Sequence, residues 1–508
     1  MSAELIPTLS DRLTAVFAID PAAPAVQRDE RWFSWGELSA IGRALDSALA
    51  SAGLGEGAPI GVMLRNRPAH LAVTLALLRT RRCVVTINPS LPDEPLAEDI
   101  AAIEMACLVA DADDWARPGV FDAASAQNVL QISIASEPTG LRLTVAARDG
   151  VRVMAPRPGV AVQMLTSGTT GKPKRIDIRY ESLERSLHAG SKYEKGAQGE
   201  LTLKRGVGIQ WMPLVHIGGF FGALYAIYNA RSFVLMERFD VDTWHRLIVQ
   251  HRPKFVNLPP SALYMVLERN YPAEDFASLL ALRSGAAPLD HNLALEFERR
   301  YNVPVLEGYG ATEFAGGVAG WTIGDHRKFA ATKRASVGRA NAGVQLRIVD
   351  RESGDALPAE TPGLLEVRSE QIDGGKEWIR TSDMARLDAD GFLYILGRAD
   401  SAIIRGGFKI MPDKVEEALL AAPGVREACV VGLPDERLGQ VPKAAVAGDG
   451  IDGESLKTYL KGRLKPYEVP VEILVLETMP RTPSLKISQQ AVRQLFAAPE
   501  PAAAQGDR

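Results

Sequence analysis

A loop rich in glycine, hydroxyl groups and lysine constrains the fold of this chain more than any other stretch. The apolar run Val160–Leu165 leads into the loop Thr166-Ser-Gly-Thr-Thr-Gly-Lys-Pro-Lys174. Backbone N–H groups and cations arranged in this way can surround a polyphosphate. The loop lacks the Walker pattern, because Pro173 stands where the helix of such a motif would already run. An isolated loop of this composition is more often a surface turn, so the rest of the chain decides between the two.

Short apolar runs alternate with amphipathic segments before this loop. Ser34-Trp-Gly-Glu37 has the spacing of a helical capping box, and apolar residues recur at helical intervals from Leu38 until Gly53. Charges and prolines interrupt residues 144–158, which are predicted to form a loop. Buried strands are predicted at residues 59–64, 84–87, 106–110 and 129–133, and a helix at 69–80. This alternation favours parallel βαβ units and therefore an α/β fold.

Composition narrows the function classes. The chain has 508 residues, 46% of them hydrophobic and 24% charged, and a net charge of −4. These values are ordinary for a soluble globular protein with more than one domain, and they give no electrostatic reason to expect nucleic acid or an anionic membrane as the partner. The sequence contains no basic leader and no apolar run of about 18 residues, so we expect a cytoplasmic protein without stable membrane insertion.

The cysteines and several arginines are interpreted as structural. Cys83, Cys107 and Cys429 lie far apart and belong to no Cys-x-x-Cys or Cys/His cluster. This argues against a disulfide framework or a zinc site and predicts buried thiols. Four arginines near predicted helix ends and loops are expected to be solvated at the surface: Arg65, Arg79, Arg81 and Arg82.

Two weaker motifs lie in the middle of the chain. Pro213-Leu-Val-His216 is followed by two glycines, and a lone histidine beside apolar residues is either a hydrogen-bonded core residue or a functional group. Ser284-Gly-Ala-Ala-Pro-Leu289 consists of small residues after a predicted strand. Small residues let a backbone approach a ligand, but they are also typical of a plain turn. Neither motif identifies a function alone.

A third motif, Glu307-Gly-Tyr-Gly-Ala-Thr-Glu313, is more specific. Glycines on both sides leave Tyr309 free to lie against a purine. Thr312 can donate to phosphate oxygens, and the carboxylate of Glu313 can hold magnesium. An aromatic turn with a capping threonine is the alternative.

The pattern changes after Ala335. Short alternating strands separated by Gly, Pro and Asp turns predict a small antiparallel, barrel-like subdomain up to Arg398. From Ile403 to about Phe496 helices and strands alternate again, which predicts a small α+β domain. The Ala/Pro-rich residues 497–508 are expected to be disordered.

In their order along the chain, these motifs resemble those of the AMP-forming adenylating superfamily, which includes acyl-CoA synthetases, adenylation domains and luciferases. The resemblance runs from about Trp35 to Lys486 and includes three further stretches: Trp378–Asp383, Gly397–Ile410 and Pro480–Ile487. It implies a large N-terminal domain over residues 1–399, holding the ATP and acyl sites, and a small mobile lid domain over 400–496.

The resemblance also implies a role for each matching residue. It assigns phosphate contacts to Thr166, Ser167, Gly168, Thr169, Thr170, Gly171 and Lys174, adenine contacts to Gly285, Ala286 and Tyr309, and ribose or phosphate contacts to Asp383 and Arg398. It assigns catalysis to Lys486, Thr312, Glu313 with Mg²⁺, and His216 near the reacting carboxylate. It makes Asp400 the hinge and gives Gly406 and Gly407 the lining of a pantetheine tunnel after domain rotation.

Three departures from the superfamily pattern stand out. The loop exit reads Lys174-Arg-Ile176 and is bulkier and more basic than usual. Ser382 replaces a glycine before Asp383, and Leu485 replaces the glycine before Lys486. If that backbone needs positive φ, a leucine costs about 1 kcal/mol or more and can displace the lysine.

The resemblance identifies the chain as an AMP-forming acyl-CoA ligase that uses ATP, Mg²⁺ and coenzyme A. The segments expected to line the acyl pocket, residues 211–224, 284–289 and 314–321, contain no Lys, Arg, Asp or Glu. Desolvating a second carboxylate or an ammonium there would cost several kcal/mol, so we expect an apolar fatty, aryl or alicyclic acid. An enzyme that loads a carrier protein and a non-catalytic nucleotide- or acyl-binding relative remain alternatives. A homodimer is also left open.

Overall fold

A computed structural model describes residues 6–137, 140–146, 154–166, 174–192, 194, 200–285, 287–399, 401–406, 408–435, 437–483 and 485–497. The large domain begins with alternating helices and strands. They are α1 (Leu9–Ile19), β1 (Pro24–Arg28), β2 (Arg31–Ser34), α2 (Trp35–Ser51), β3 (Pro59–Met63), α3 (Pro68–Arg79), β4 (Cys83–Ile87), α4 (Asp93–Ala102), β5 (Cys107–Asp111), α5 (Ala112–Trp115), α6 (Val120–Ala126), β6 (Leu130–Glu137), β7 (Gly140–Ala146), β8 (Val160–Thr166), β9 (Lys174–Arg179), α7 (Tyr180–Ser191), β10 (Lys204–Gln210), α8 (Ile217–Tyr228) and β11 (Arg231–Leu235).

A seven-stranded sheet in the order β7-β6-β5-β3-β4-β8-β9 organises this part. Its inner neighbours are parallel, and the edge strands β7 and β9 are antiparallel to theirs. Every residue of β3, β4 and β5 is buried, as expected for parallel strands covered on both faces. The predicted capping box is confirmed, because Ser34 Oγ accepts from the N–H of Glu37 and the Glu37 carboxylate accepts from the N–H of Ser34.

The rest of the large domain contains α9 (Val241–His251), β12 (Phe255–Asn257), α10 (Pro260–Arg269), β13 (Ala281–Ser284), α11 (His291–Tyr301), β14 (Val305–Ala311), β15 (Gly316–Gly320), α12 (Ile323–Lys333) and β16 (Arg339–Ala340). A four-stranded sheet has the order β10-β11-β1-β2, and a five-stranded sheet runs β12-β13-β14-β15-β16. Helices α9, α10 and α11 pack a hydrophobic cluster over β12, β13 and β14. The motif strand β14 therefore lies in the middle of a well-packed layer.

The predicted antiparallel subdomain is β17 (Val344–Val349), β18 (Gly363–Ser369), β19 (Ile379–Leu387) and β20 (Leu393–Arg398), paired in chain order. The segment before β17 also hydrogen-bonds to β20, because Val337 N–H donates to Leu393 and Leu393 N–H donates to Gly338. This contact attaches the antiparallel subdomain to the segment that follows α12.

The small domain contains β21 (Ile403–Arg405), β22 (Phe408–Ile410), α13 (Pro412–Leu420), β23 (Val425–Asp435), β24 (Gly439–Gly448), α14 (Gly453–Lys461), β25 (Glu472–Leu476) and α15 (Gln489–Ala497). β24 lies between β21 and β23, and β25 pairs with it in parallel. The architecture is thus a large N-terminal domain and a small C-terminal domain, both mixed α/β, as predicted.

Two predictions from the sequence are wrong in detail. Arg82 is buried, with its guanidinium donating to Asp46 and to the carbonyl of Leu54. Arg65 donates two hydrogen bonds to the fully buried Asp114. Both arginines therefore pair with distant partners instead of lying in solvent.

The prediction of a loop over residues 144–158 is also wrong at its start. Residues 144–146 complete the edge strand β7, which pairs with β6. All three cysteines are free and buried, as predicted. Among the described residues, no helix has both the length and the apolar character needed to cross a bilayer.

Candidate active site

Four of the predicted site residues come together where β14 meets the antiparallel subdomain. The hydroxyl of Tyr309 donates to the carboxylate of Asp383. Burial and the nearby Asp383 raise the pKa of Tyr309, so the phenol remains a donor. Asp383 lies opposite Arg398 across β19 and β20, and Glu313 also acts electrostatically on the Tyr309 phenol. An aromatic ring, two carboxylates and a guanidinium thus share one location.

Small residues leave a narrow space beside Tyr309. A Cβ on Gly285 would lie 3.0 Å from the carbonyl oxygen of Gly308, and one on Gly310 would lie 2.5 Å from that of Gly316. Side chains at these positions would collide with the backbone of β14 or β15. The glycines therefore permit the close approach of these backbone segments next to Tyr309.

The strands that flank residues 167–173 are next to this region. Thr166 and Lys174 are partners across the antiparallel pair β8–β9. β9 contacts the short turn Thr312–Phe314, so the exit of the loop lies beside Thr312 and Glu313. Other predicted site residues lie outside the described part of the chain: Ser167, Gly168, Thr169, Thr170, Gly171, Ala286, Asp400 and Gly407.

Glu313 is exposed, and the described residues contain no group of three His, Cys, Asp or Glu side chains that could hold a metal alone. Mg²⁺ in nucleotide sites commonly takes one or two carboxylates and completes its shell with phosphates and water. The single carboxylate of Glu313 fits such a nucleotide-bound ion, and it does not fit a protein cage.

His216, the predicted substrate-side residue, lies at the start of α8. It is the N-cap residue of α8, its N–H donates to Pro213, and its carbonyl accepts from Phe220. A Cβ on Gly219 would overlap the carbonyl of Pro213, which explains why a glycine follows the histidine so closely. Burial and the charge of Lys486 lower the pKa of His216 to about 4. The imidazole is therefore neutral at physiological pH.

The loop that leads to His216 is held by Asn66, which the sequence analysis missed. The buried Asn66 amide donates to the carbonyls of Trp211 (2.9 Å), Met212 (3.2 Å) and Met236 (3.0 Å). Its Oδ1 accepts from the N–H of Leu214 at 2.8 Å. The available signal was a polar residue shortly after the buried strand β3, since functional groups gather at the carboxyl ends of parallel strands.

Lys486 reaches the same region from the small domain. Burial lowers the pKa of Lys486, and its charge acts on His216 of the large domain. Leu485, the residue before it, has φ of +63° and therefore adopts the left-handed conformation anticipated for this position. With leucine at this position, Lys486 is still half-buried and its charge still acts on His216.

The junction between the domains contains a further carboxylate that the sequence did not reveal. Asp413, in the first turn of α13, accepts a hydrogen bond from the backbone N–H of Arg398, and burial raises the pKa of Asp413. Its carboxylate occupies the place where a Cβ on Gly397 would lie, and Gly397 has φ of +114°. Gly406, by contrast, lies on the small-domain hairpin and its N–H donates to Leu438 at 2.8 Å.

The substitution at Ser382 has a structural explanation. Nη2 of Arg398 donates to Ser382 Oγ at 2.5 Å, and the N–H of Ala399 donates to the carbonyl of Ser382 at 2.7 Å. A serine here gives the guanidinium of Arg398 a contact that glycine could not supply. The replacement of glycine by Ser382 therefore helps to hold the guanidinium of Arg398 in place.

The first residue of the Tyr309 motif is unusual in another way. Glu307 is buried, accepts a hydrogen bond from the N–H of Leu289, and has its pKa raised by burial to about 8. It therefore remains protonated at neutral pH. This contact ties the end of the Ser284–Leu289 loop to β14.

Comparisons with known proteins agree with this geometry. The sequence profile described as AMP-binding enzyme matches residues 14–375, and that of the AMP-binding enzyme C-terminal domain matches residues 414–486. The chain is 30% identical to 4-coumarate–CoA ligase-like 5 of Oryza sativa subsp. japonica, over 90% of this chain and 84% of that protein. It is 28% identical to a 2-succinylbenzoate–CoA ligase of Bacillus cereus, over 94% of this chain and 96% of that protein.

The fold also matches solved structures. ATP-bound MatB from Rhodopseudomonas palustris superposes with a TM-score of 0.80 and 23% identity, covering 96% of this chain and 99% of that chain. At this identity the match supports the fold alone. The profile matches to both domains and the named relatives show more: the chain belongs to the family of AMP-binding enzymes and is an AMP-forming acid–thiol ligase.

Proposed function

We propose that this protein activates an apolar carboxylic acid with ATP to an acyl-adenylate and transfers the acyl group to coenzyme A. The observation that carries the proposal is that the turn holding Lys486 docks on the large domain, because Ser261 donates to the carbonyl of Leu485 at 2.8 Å and the charge of Lys486 acts on His216. A partly buried cation beside the loop of His216 offers an anionic acid a favourable place next to the phosphates.

The nucleotide side of the site supports the first half of the reaction. Tyr309 can lie along a purine, while Asp383 retains one carboxylate oxygen for a ribose hydroxyl after accepting from Tyr309. Arg398 stands opposite Asp383 and can reach the ribose or the phosphates. Lys174, at the exit of the phosphate loop, and Thr312 beside it would orient the β- and γ-phosphates.

The chemistry explains why these groups are needed. A carboxylate oxygen must bond to the α-phosphorus of ATP while the bond to pyrophosphate breaks, and both reactants are anions. Mg²⁺, held by Glu313 when bound, would supply positive charge to the phosphates. Lys486 would attract both the acid and the α-phosphate, and its partial burial strengthens that attraction. The neutral His216 adds a hydrogen-bonding group without adding a second cation.

The second half of the reaction needs a different arrangement. The thiol of coenzyme A attacks the acyl carbon, and AMP leaves with the bonding electrons. We propose that rotation of the small domain about Asp400 removes Lys486 and brings the hairpin with Gly406 and Gly407 to the site. The present arrangement, with Lys486 inside and Gly406 bonded to Leu438 of the small domain, is suited to the first half.

The acid follows from the side chains available near His216. Phe221 and Tyr225 are half-buried on α8 and stack at a ring-centroid distance of 6.2 Å. Gly316, on β15, lies beside Phe221, where a Cβ would be in van der Waals contact with the ring at 3.9 Å. Apolar side chains and small residues favour a fatty, aryl or alicyclic acid.

One observation favours a second candidate, an aryl acid with another carboxylate. Arg283 acts electrostatically on Tyr225, and it lies at the end of β13, just before the Ser284–Leu289 loop. Some relatives are named 2-succinylbenzoate–CoA ligases. A guanidinium near Tyr225 could compensate a distal carboxylate.

A panel of acids tests the proposal. Specificity constants for CoA-dependent AMP release would be measured with hexanoate, dodecanoate, benzoate, 4-coumarate, 2-succinylbenzoate, succinate and phenylalanine. We expect one of the four monocarboxylates without an amine to come first. If 2-succinylbenzoate has the highest specificity constant, and Arg283→Leu loses that preference, the second candidate is correct. If succinate or phenylalanine comes first, the apolar acid is wrong.

Two further measurements separate the remaining alternatives. ATP–pyrophosphate exchange that depends on an added acid but leads to no CoA-dependent AMP release would favour an enzyme that loads a carrier protein, whereas absence of ATP binding and of exchange with every acid would favour a non-catalytic relative. Formation of acyl-CoA, detected by mass spectrometry, separates a CoA ligase from an enzyme that loads only carrier proteins.

A further inference from the structure

The turn that carries Lys486 makes a direct hydrogen bond to the large domain. Ser261, in the first turn of α10, donates from Oγ to the carbonyl of Leu485 at 2.8 Å. Arg481 of the small domain donates to the same carbonyl at 3.1 Å. One carbonyl next to the catalytic lysine thus receives one donor from each domain.

The side chain of Leu485 belongs to the same contact. It is half-buried and packs against the hydrophobic cluster that α9, α10 and α11 form over β12–β14. A glycine, which the superfamily usually has here, could not make this contact. A second cross-domain contact involves Tyr264, further along α10. The guanidinium of Arg426, on β23 of the small domain, lies 5.8 Å from the centroid of its ring.

The turn itself is built within the small domain. Thr482 N–H donates to Lys486 O and Leu485 N–H donates to Thr482 O, both at 2.8 Å. Lys486 N–H donates to Thr482 Oγ1 at 3.2 Å. Because these bonds need no partner from the large domain, the positive φ of Leu485 persists when the small domain rotates. The conformational strain of the leucine is therefore common to both orientations, whereas its packing is present in only one.

We propose that Ser261 is a positioning residue for Lys486, and that Ser261 and Leu485 together dock the lysine turn on α10 and favour the adenylate-forming orientation of the small domain. The inference rests on the proposed function, since it assigns the two orientations to the two half-reactions. Neither residue touches the reacting atoms. Their effect is on the ratio of the docked to the rotated population.

This ratio can be measured without knowing either population. When rotation is faster than chemistry, the adenylation rate is proportional to the docked fraction and the thioester-forming rate to the rotated fraction. The quotient of the two rates then changes by the same factor as the docking equilibrium, whichever orientation dominates. A change that simply damages the fold lowers both rates and leaves the quotient nearly unchanged.

The experiment compares the two half-reactions in variants of the full chain. Adenylation is followed by pyrophosphate exchange with dodecanoate or, if it is the better substrate, benzoate. Thioester formation is followed in single turnovers from the matching pre-formed acyl-adenylate and CoA. Ser261→Ala should lower the quotient about five-fold, the effect of one neutral hydrogen bond. Ser261→Thr keeps the hydroxyl and should restore most of the quotient.

Ser278→Ala is the matched control. The Ser278 hydroxyl donates to the carbonyl of Pro253 at 3.0 Å and is buried within the large domain. Its loss removes a comparable hydrogen bond without touching the small domain, so the quotient should equal that of the unchanged protein.

Two substitutions at Leu485 separate packing from strain. Leu485→Ala and Leu485→Gly both remove the packing and should lower the quotient alike, by about five-fold or more. Glycine alone relieves the positive φ, so it should make the small domain more resistant to unfolding than alanine does.

The outcomes are distinct. A quotient in Ser261→Ala and Leu485→Ala equal to that of Ser278→Ala would overturn the docking role while leaving the ligase function intact. A higher quotient would overturn it as well. Absence of pyrophosphate exchange and of thioester formation in the unchanged protein would overturn the proposed function and this inference together.

Discussion

Replacement of Glu307 by glutamine should remove a loss of stability that the large domain otherwise undergoes as the pH rises. Glu307 is buried at 8% exposure and accepts from the N–H of Leu289, and its pKa is raised to about 8. Glutamine has nearly the same shape and keeps an acceptor oxygen for Leu289. The substitution therefore removes the titration and leaves the hydrogen bond.

The sign follows from proton binding. Glu307 is protonated in the folded chain up to about pH 8 but ionises near pH 4.5 when the chain unfolds. Its contribution is fully present below pH 4.5 and is lost as pH rises toward 8, because the folded state then binds more protons than the unfolded state. The loss is about 1.4 kcal/mol per pH unit within this window, or about 2.5 kcal/mol between pH 5 and pH 7. Glutamine has no such loss.

Thermal unfolding at matched ionic strength measures the effect. A domain of about 400 residues has an unfolding entropy of about 0.8 kcal/mol/K, so 2.5 kcal/mol corresponds to about 3 °C. The Tm of Glu307→Gln minus that of the unchanged protein should therefore rise by about 3 °C from pH 5 to pH 7. Glu30→Gln changes an exposed glutamate and serves as the control for net charge. A Tm difference that stays constant or falls with pH would refute the buried, protonated state of Glu307.

Three other substitutions test the site. Lys486→Ala should slow adenylation about 100-fold or more, with little effect on thioester formation from supplied acyl-adenylate, and equal losses in both half-reactions would contradict the rotation. Asn66→Asp places a carboxylate against three carbonyls. It should raise the KM for the acid about ten-fold or more and leave the KM for ATP nearly unchanged. Equal increases in both constants would argue against a role confined to the loop before His216. Tyr309→Phe removes the hydrogen bond to Asp383 and should raise the KM for ATP about five-fold, and an unchanged KM would show that the bond does not orient the ribose contact.

The sequence predicted the parts of the fold that depend on local patterns. Helix α2 was predictable because its capping box and apolar spacing lie within the same 20 or so residues. The fully apolar strands β3 and β4 were predictable for the same reason. Residues with partners far along the chain were not: Arg82 meets Asp46 and Asn66 meets Trp211 only after the layers pack. No periodicity in the sequence encodes those pairs.

In the candidate site, too, local motifs were predictable and contacts between distant residues were not. The motif around Tyr309 could be recognised from consecutive residues, whereas the contact of Asp413 with Arg398 joins two domains and has no linear pattern. Leu485 was correctly expected to meet a backbone of positive φ, but its packing on the large domain could be seen only in the folded chain. Departures from a motif thus needed three-dimensional partners before they could be interpreted.

The amide of Asn66 sets a rule for redesigning substrate range. It holds the backbone of Trp211, Met212, Leu214 and Met236 in one register, so the loop before His216 has a fixed length and path. Exchanging the side chains of Met212 or Phe221 leaves that register intact. Inserting or deleting a residue between positions 211 and 214 would misalign the carbonyls and the N–H group that pair with the buried amide of Asn66. Engineers who want a different acid should therefore vary side-chain size around this loop and keep its residue count unchanged.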